Sequence, residues 1–197
     1  RILNSVLNGW LMLNAPQLAD LSGPIIGATV DMFFRISADL LPTPIKCHYT
    51  FNLRDPAKML QGLLMVNIKT DLKDGDSLMK LWLHECCRQF RDRLISDEDC
   101  SWFNNMLVDT MGGHFDSAWP VEKFDNLTFG DFFDRAEKTY IMSPSEQKLL
   151  ETFNDYLDEY NSINPSKMNL VFFKDAQNHL SRVARVIRQP RGNALLV

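Results

Sequence analysis

Along most of the chain, apolar residues recur at intervals of three and four, and that spacing predicts helix rather than strand. Residues 2–13 carry Ile2, Val6, Leu7, Trp10 and Leu11 in this register. Ser22-Gly-Pro24 opens a second helix, since proline is tolerated in a first turn. Its stripe runs through Ile26, Val30, Phe33, Phe34, Leu40 and Leu41 and is stopped by Pro42. Leu41-Pro-Thr-Pro-Ile45 then reads as a stiff extended connector, because each proline pushes the preceding residue out of the helical region. A subdomain boundary is expected there. His48-Tyr-Thr-Phe-Asn52 is short and β-prone. Asp55-Pro56 starts a third helix, with Asp as the cap and Pro at the first helical position.

The polar turn Lys73-Asp-Gly-Asp76 leads into the clearest helix, 77–95, with Met79, Leu83, Cys86, Cys87, Phe90 and Leu94 on one face. A further helix is expected over 98–112, ending at Gly112-Gly113. The pattern breaks down over 114–142, where Phe115, Trp119, Phe124, Phe129, Phe132 and Phe133 lie among turn residues. Ser143-Pro-Ser-Glu146 has the spacing of a capping box. It opens a helix through Tyr160 whose stripe is Leu149, Leu150, Phe153, Leu157 and Tyr160. Asn161-Ser-Ile-Asn-Pro165 is a linker, and Leu170-Val-Phe-Phe173 leads into a basic helix over 174–188. The last residues, Ala194-Leu-Leu-Val197, read as the first half of a buried strand. Such a strand precedes the glycine loop of phosphate-binding folds, and the chain is therefore expected to be a fragment cut just before a nucleotide site.

Composition narrows the picture. A hydrophobic content of 45% with 13 Phe is ample for a core and excludes disorder as the default. A net charge of −4, with both signs mixed along the chain, gives no general attraction to nucleic acid or anionic membrane. No apolar run reaches the length of a membrane span. Cys47, Cys86, Cys87 and Cys100 include no C-x-x-C pair and read as intracellular thiols acting as small apolar residues.

Chemistry-bearing residues are few. His84, Cys87 and Cys100 could be imagined as metal ligands, but a fourth ligand and a facing pair are missing, and core packing explains them better. Asp92, Asp97, Glu98 and Asp99 gather near a helix end and the next helix start, where solvation and the helix dipole account for them. Arg182, Arg185, Arg188 and Arg191 recur every three residues, a solvated face by default, although the turn Pro190-Arg-Gly192 favours a fixed partner for at least one. Arg54 stands apart. It directly precedes a capped helix start, so a guanidinium and the positive end of a helix dipole meet there. An ordinary surface salt bridge is the default for such a residue, and a phosphate sensor the sharper reading. The loop G-x-x-x-x-G-K-[ST] occurs nowhere in the sequence, and no catalytic set is found.

Several stretches carry a family resemblance. They are Leu40-Leu-Pro-Thr-Pro44, His48-Tyr-Thr-Phe-Asn-Leu-Arg-Asp55, Gln61-Gly62, Leu81-Trp-Leu-His-Glu85 and Phe90-Arg-Asp-Arg-Leu94. To these add Met168-Asn-Leu-Val-Phe-Phe-Lys-Asp175, His179-Leu-Ser-Arg182 and Arg188-Gln-Pro-Arg-Gly192. In this order, over nearly the whole chain, they resemble the motor region of dynein heavy chains, with wording closer to axonemal than to cytoplasmic members. Pro56-Ala57 and Asn193 depart from the family pattern without evident consequence.

The resemblance implies a mainly α fold: the helical bundle of an AAA+ small or lid subdomain, with minor β, ending in the first strand of the next AAA+ module. It places 1–45 at the end of the third module's large subdomain and 46–160 in its helical lid. Residues 161–197 become the linker, loop, helix and first strand of the fourth module. Arg54 resembles the sensor arginine that reaches the terminal phosphate from the lid. Leu170, Val171 and Phe172 resemble the loop lining the following module's adenine pocket. The implied parent is an ATP-driven, minus-end-directed microtubule motor of the cytoplasm and ciliary axoneme, using ATP or ADP and Mg²⁺. Its expected partners are neighbouring AAA+ modules, microtubules and the intermediate and light chains. The segment alone is expected neither to hydrolyse ATP nor to hold nucleotide tightly. The alternative reading is a stand-alone helical protein-interaction module, with an independent enzyme a distant third.

Overall fold

The computed structural model describes residues 1–66, 72–115, 119–120 and 127–194. The chain divides into two compact units, Arg1–Asp125 and Asn126–Val197. Among its described residues, the first unit has α1 (Ile2–Asn14), α2 (Ser22–Asp39), α3 (Arg54–Leu63), α4 (Gly75–Gln89) and α5 (Asp97–His114). A 3-10 turn at Pro16–Leu21 joins α1 to α2, and another at Arg91–Arg93 follows α4. The connector 41–45 lies inside this unit.

The helix starts follow from capping chemistry. Asp74 is the N-cap of α4 and accepts from Ser77 N at 2.9 Å. Ser96 does the same for α5, accepting from Asp99 N at 3.3 Å. Helix α4 is buried nearly all round, with Leu78, Met79, Leu81, Trp82, Leu83, His84, Glu85, Cys86 and Cys87 all inside. A helix without a polar face belongs in the middle of a bundle. It packs on α3, while α2 packs on α1 and α5. Trp82 Nε1 donates to Thr29 Oγ1 at 2.9 Å, and Thr29 donates onward to the Ile25 carbonyl at 2.7 Å. The indole of the unit's largest fully buried side chain is thereby satisfied inside the core.

Five sequence expectations for this unit are corrected, the first being the long helix over 77–95, which as α4 ends at Gln89. No strand forms at His48–Asn52; that segment is a loop. The buried face of α2 is Ile25, Ile26, Ala28, Thr29, Met32, Phe33 and Ile36, whereas Phe34 is 63% exposed. Asp55 is not the cap of α3, because the helix begins one residue earlier and Asn52 Oδ1 accepts from Arg54 N at 2.9 Å. Gly112-Gly113 does not end α5, which continues to His114. Tertiary contact outweighs glycine's weak helix propensity there. The His114 ring lies against Gly27 of α2, where an added Cβ would stand 3.1 Å from it.

Among its described residues, the second unit has an antiparallel ladder, β1 (Phe129–Gly130) and β2 (Ile141–Met142), and the helices α6 (Glu146–Ile163) and α7 (Lys174–Arg188). The ladder falls in the stretch whose periodicity was unreadable. Ser145, not Ser143, caps α6, accepting from Lys148 N at 3.0 Å. Ser143 is already committed: its amide extends the ladder to the Thr128 carbonyl at 2.7 Å, and its hydroxyl donates to the Ser145 carbonyl. Arg188 meets Asp131 at 3.2 Å and donates to the Lys138 carbonyl at 3.0 Å, the fixed partner expected for that arginine series. Arg185 is buried. Of the strand expected at Ala194-Leu-Leu-Val197, residues 195–197 lie outside the described residues. Among those described, no helix is long and apolar enough to cross a membrane.

Candidate functional site

The loop 46–53 carries Arg54 into the first position of α3. It has no regular secondary structure, so side chains hold it. Tyr49, 2% exposed, donates from its hydroxyl to Asp99 Oδ2 at 2.7 Å and accepts from Ile95 N at 3.0 Å. Lys46 pairs with the same Asp99 carboxylate. Burial pushes the Asp99 carboxyl up, but hydrogen bonds from Lys46, Tyr49 and Ser96 outweigh it and hold the group below its ordinary value. The Tyr49 phenol is raised, first by burial and then by its bond to Asp99. The Lys46 ammonium is raised chiefly by the Asp99 bond.

A second set of contacts sits nearer Arg54. Asp55 is buried and accepts from Asn52 N at 2.8 Å, Gln89 Nε2 at 2.9 Å and Arg93 Nη1 at 3.0 Å. Arg93 also donates through Nη2 to the Thr50 carbonyl at 3.0 Å, and its guanidinium lies 4.7 Å from the centre of the Phe51 ring. His48 Nε2 donates to the Arg93 carbonyl at 2.9 Å. Arg54 itself is exposed, and among the described residues nothing engages its guanidinium. Its neighbour Leu53 is 77% exposed. A fixed backbone thus presents an unengaged cation at a helix N-terminus, an arrangement suited to an anion.

The second unit holds a groove of about 520 Å³ between α6, α7 and the segment before α7. Phe132, Phe153 and Phe172 form a continuous aromatic wall, with centroids 5.1 Å and 5.7 Å apart. Leu170 also lines it, with Tyr156 and Leu180. Val171, 82% exposed, does not. Asn161 fixes the approach to this segment by bonding both the amide and the carbonyl of Met168, at 2.8 and 2.9 Å. A slot of this size and polarity suits a planar ring or an apolar side chain.

His84 and Cys87 are core residues, and Cys86, fully buried, is raised well above its ordinary value by desolvation. Among the described residues, no group of three or more His, Cys, Asp or Glu side chains is placed to hold a metal ion. Sequence reasoning singled out Arg54 but not Tyr49, Gln89 or Arg93, and read Asp99 as a solvated acid favoured by the helix dipole.

Comparison with known proteins gives two family matches. The family model described as an AAA+ lid domain matches residues 25–123, and one described as P-loop containing dynein motor region D4 matches residues 168–197. The chain is similar to dynein axonemal heavy chain 6 of Homo sapiens, 43% identical over 203 residues, covering 100% of the chain and 5% of that protein. It is 42% identical over 214 residues to dynein axonemal heavy chain 1 of Mus musculus, again over 100% of the chain and 5% of the relative. It is 37% identical over 204 residues to dynein axonemal heavy chain 2 of Homo sapiens, over 100% of the chain and 4% of that relative. The chain thus spans about 5% of the length of the first two relatives.

Proposed function

The chain belongs to the AAA+ lid domain family as it occurs in dynein heavy chains, and from that premise we propose that it carries the lid of the motor's third AAA+ module into the start of the fourth. The register is supported by the order of the two family matches, lid first and D4 region after it. In domain terms, the sequence reading cut at 45 and 160 and the compact units at 125; the proposed lid shares residues 46–123 with the family match.

The parent is proposed to be an ATP-driven microtubule motor of the axoneme that uses ATP or ADP with Mg²⁺. Its neighbouring AAA+ modules are the immediate partners of this segment, and microtubules and the motor's smaller chains are reached through the rest of the heavy chain. The segment is not proposed to hydrolyse ATP by itself, since the sequence holds no G-x-x-x-x-G-K-[ST] loop.

Arg54 carries the reading. It is the exposed, unengaged guanidinium on a loop whose backbone is otherwise tied down, and it is proposed to contact the nucleotide's terminal phosphate. Leu170, Val171 and Phe172 are proposed to line the adenine pocket of the following module; Leu170 and Phe172 already face an apolar groove. The bound nucleotide supplies a terminal phosphate whose presence or loss changes the charge near Arg54. The chain's own part is to hold that cation in place and pass displacement into the lid as a rigid-body movement.

The test is Arg54→Ala in the full-length heavy chain, followed by microtubule-stimulated ATP turnover. Losing one charge-assisted contact predicts a fall of roughly ten-fold, with the thermal unfolding midpoint unchanged because the side chain is exposed. Turnover equal to the parent's removes the sensing role.

A further inference from the structure

Arg54 projects freely, yet everything behind it is pinned. Its amide is held by Asn52 Oδ1 at 2.9 Å, and the next residue, Asp55, is buried and bonded by Asn52, Gln89 and Arg93. Among these, Arg93 has the widest reach. One guanidinium bonds the Asp55 carboxylate in α3 and the Thr50 carbonyl in the loop, with a longer 3.4 Å approach to the His48 carbonyl, while its face covers Phe51. Its own carbonyl receives His48. A planar fork can hold several acceptors in fixed directions at once, which an ammonium cannot.

We infer that Arg93 is a positioning residue for Arg54: through Asp55 and the 48–51 carbonyls and rings, it fixes the origin and direction from which the Arg54 side chain leaves α3. The inference rests on the sensing role proposed for Arg54. It also gives the signal a physical route. Arg93 closes the 3-10 turn between α4 and α5, so a pull on Arg54 is delivered to the junction of those helices. Three further ties, Tyr49 to Asp99, Ile95 to Tyr49 and Lys46 to Asp99, fasten the same loop to the start of α5. The loop and the α4–α5 junction therefore move as one piece, and coupling along such a piece needs a discrete contact set that both ends share.

The experiment uses the full-length heavy chain with three variants, Arg54→Ala, Arg93→Ala and the double replacement. Hydrogen exchange is followed at the amides of residues 52–58, and ATP-induced release from microtubules is titrated. Arg93→Ala is expected to speed exchange at 52–58 by at least about ten-fold, through loss of the charged hydrogen bonds to Asp55 and Thr50, with α2 and α4 unchanged. The ATP concentration for half-maximal release should rise by a similar factor in each single variant. The double variant should be no worse than Arg54→Ala, since a misplaced arginine and an absent one fail alike.

Unchanged exchange at 52–58, or an Arg93→Ala effect that adds in full to that of Arg54→Ala, overturns the positioning role. A silent Arg54→Ala removes the sensing role instead; exchange at 52–58 then decides the mount by itself. Should Arg93→Ala fold poorly, Gln89→Ala removes a single bond to Asp55 and should give a smaller shift at the same amides. Arg93→Lys retains the charge but not the fork, and should behave like Arg93→Ala rather than like the parent.

Discussion

Tyr49 and Asp99 show how a single buried contact gives an irregular loop a defined shape. The phenol is buried, so its hydroxyl needs partners, and it finds one in the Asp99 carboxylate and another in the Ile95 amide. Tyr49→Phe keeps the ring and loses both bonds; a cost of about 1–2 kcal/mol is expected from urea denaturation. The titration of the pair has opposite signs at its two ends. The folded state holds Asp99 below its unfolded value, so the contribution is present above about pH 4 and is lost as pH falls through the folded value. Tyr49 is raised, so its contribution is present below about pH 10 and is lost as pH rises through the folded value. Urea midpoints measured from pH 2 to 5 should drop toward acid, and Asp99→Asn should flatten part of that drop. Arg54 was singled out at this scale because a cation beside a helix start is a local pattern. Arg93 and Gln89 were not, since they reach Asp55 across 38 and 34 positions of sequence and carry no signature of that partnership.

Among the elements, amphipathic helices with clear ends were the most readable. Helix α7 runs Lys174–Arg188, over the basic stretch that its periodicity marks. Helix α4 was harder, because an element buried on every side has no polar face to define a stripe, and it ends at Gln89 rather than at 95. Caps were the weakest point. Ser143 and Ser145 both fit the chemistry of a helix start, and only the β1–β2 ladder, which uses Ser143, decides between them. The tie between α2 and α4 offers a test of packing. Thr29→Val preserves shape but strips the acceptor from the Trp82 indole, leaving a buried donor unsatisfied. The expected loss is about 1–3 kcal/mol in urea denaturation; a loss below a few tenths would show that the indole finds another acceptor.

At the scale of the whole molecule, the fold class was readable because helical periodicity and the family motifs agree, and agreement across levels is what a sequence specifying one structure shows. Of the proposed site, only Arg54 and the 170–172 stretch were readable, because each is a local pattern, and they belong to different compact units of the chain. The small share of each relative that the chain covers places the decisive observation in the full heavy chain. An experimental structure of that chain with ATP at the third module tests the central claim most directly. The account predicts the Arg54 guanidinium within about 3 Å of a terminal phosphate oxygen, with Asp55 still bonded to Arg93. An Arg54 turned to solvent beside a fully occupied, closed site would contradict it.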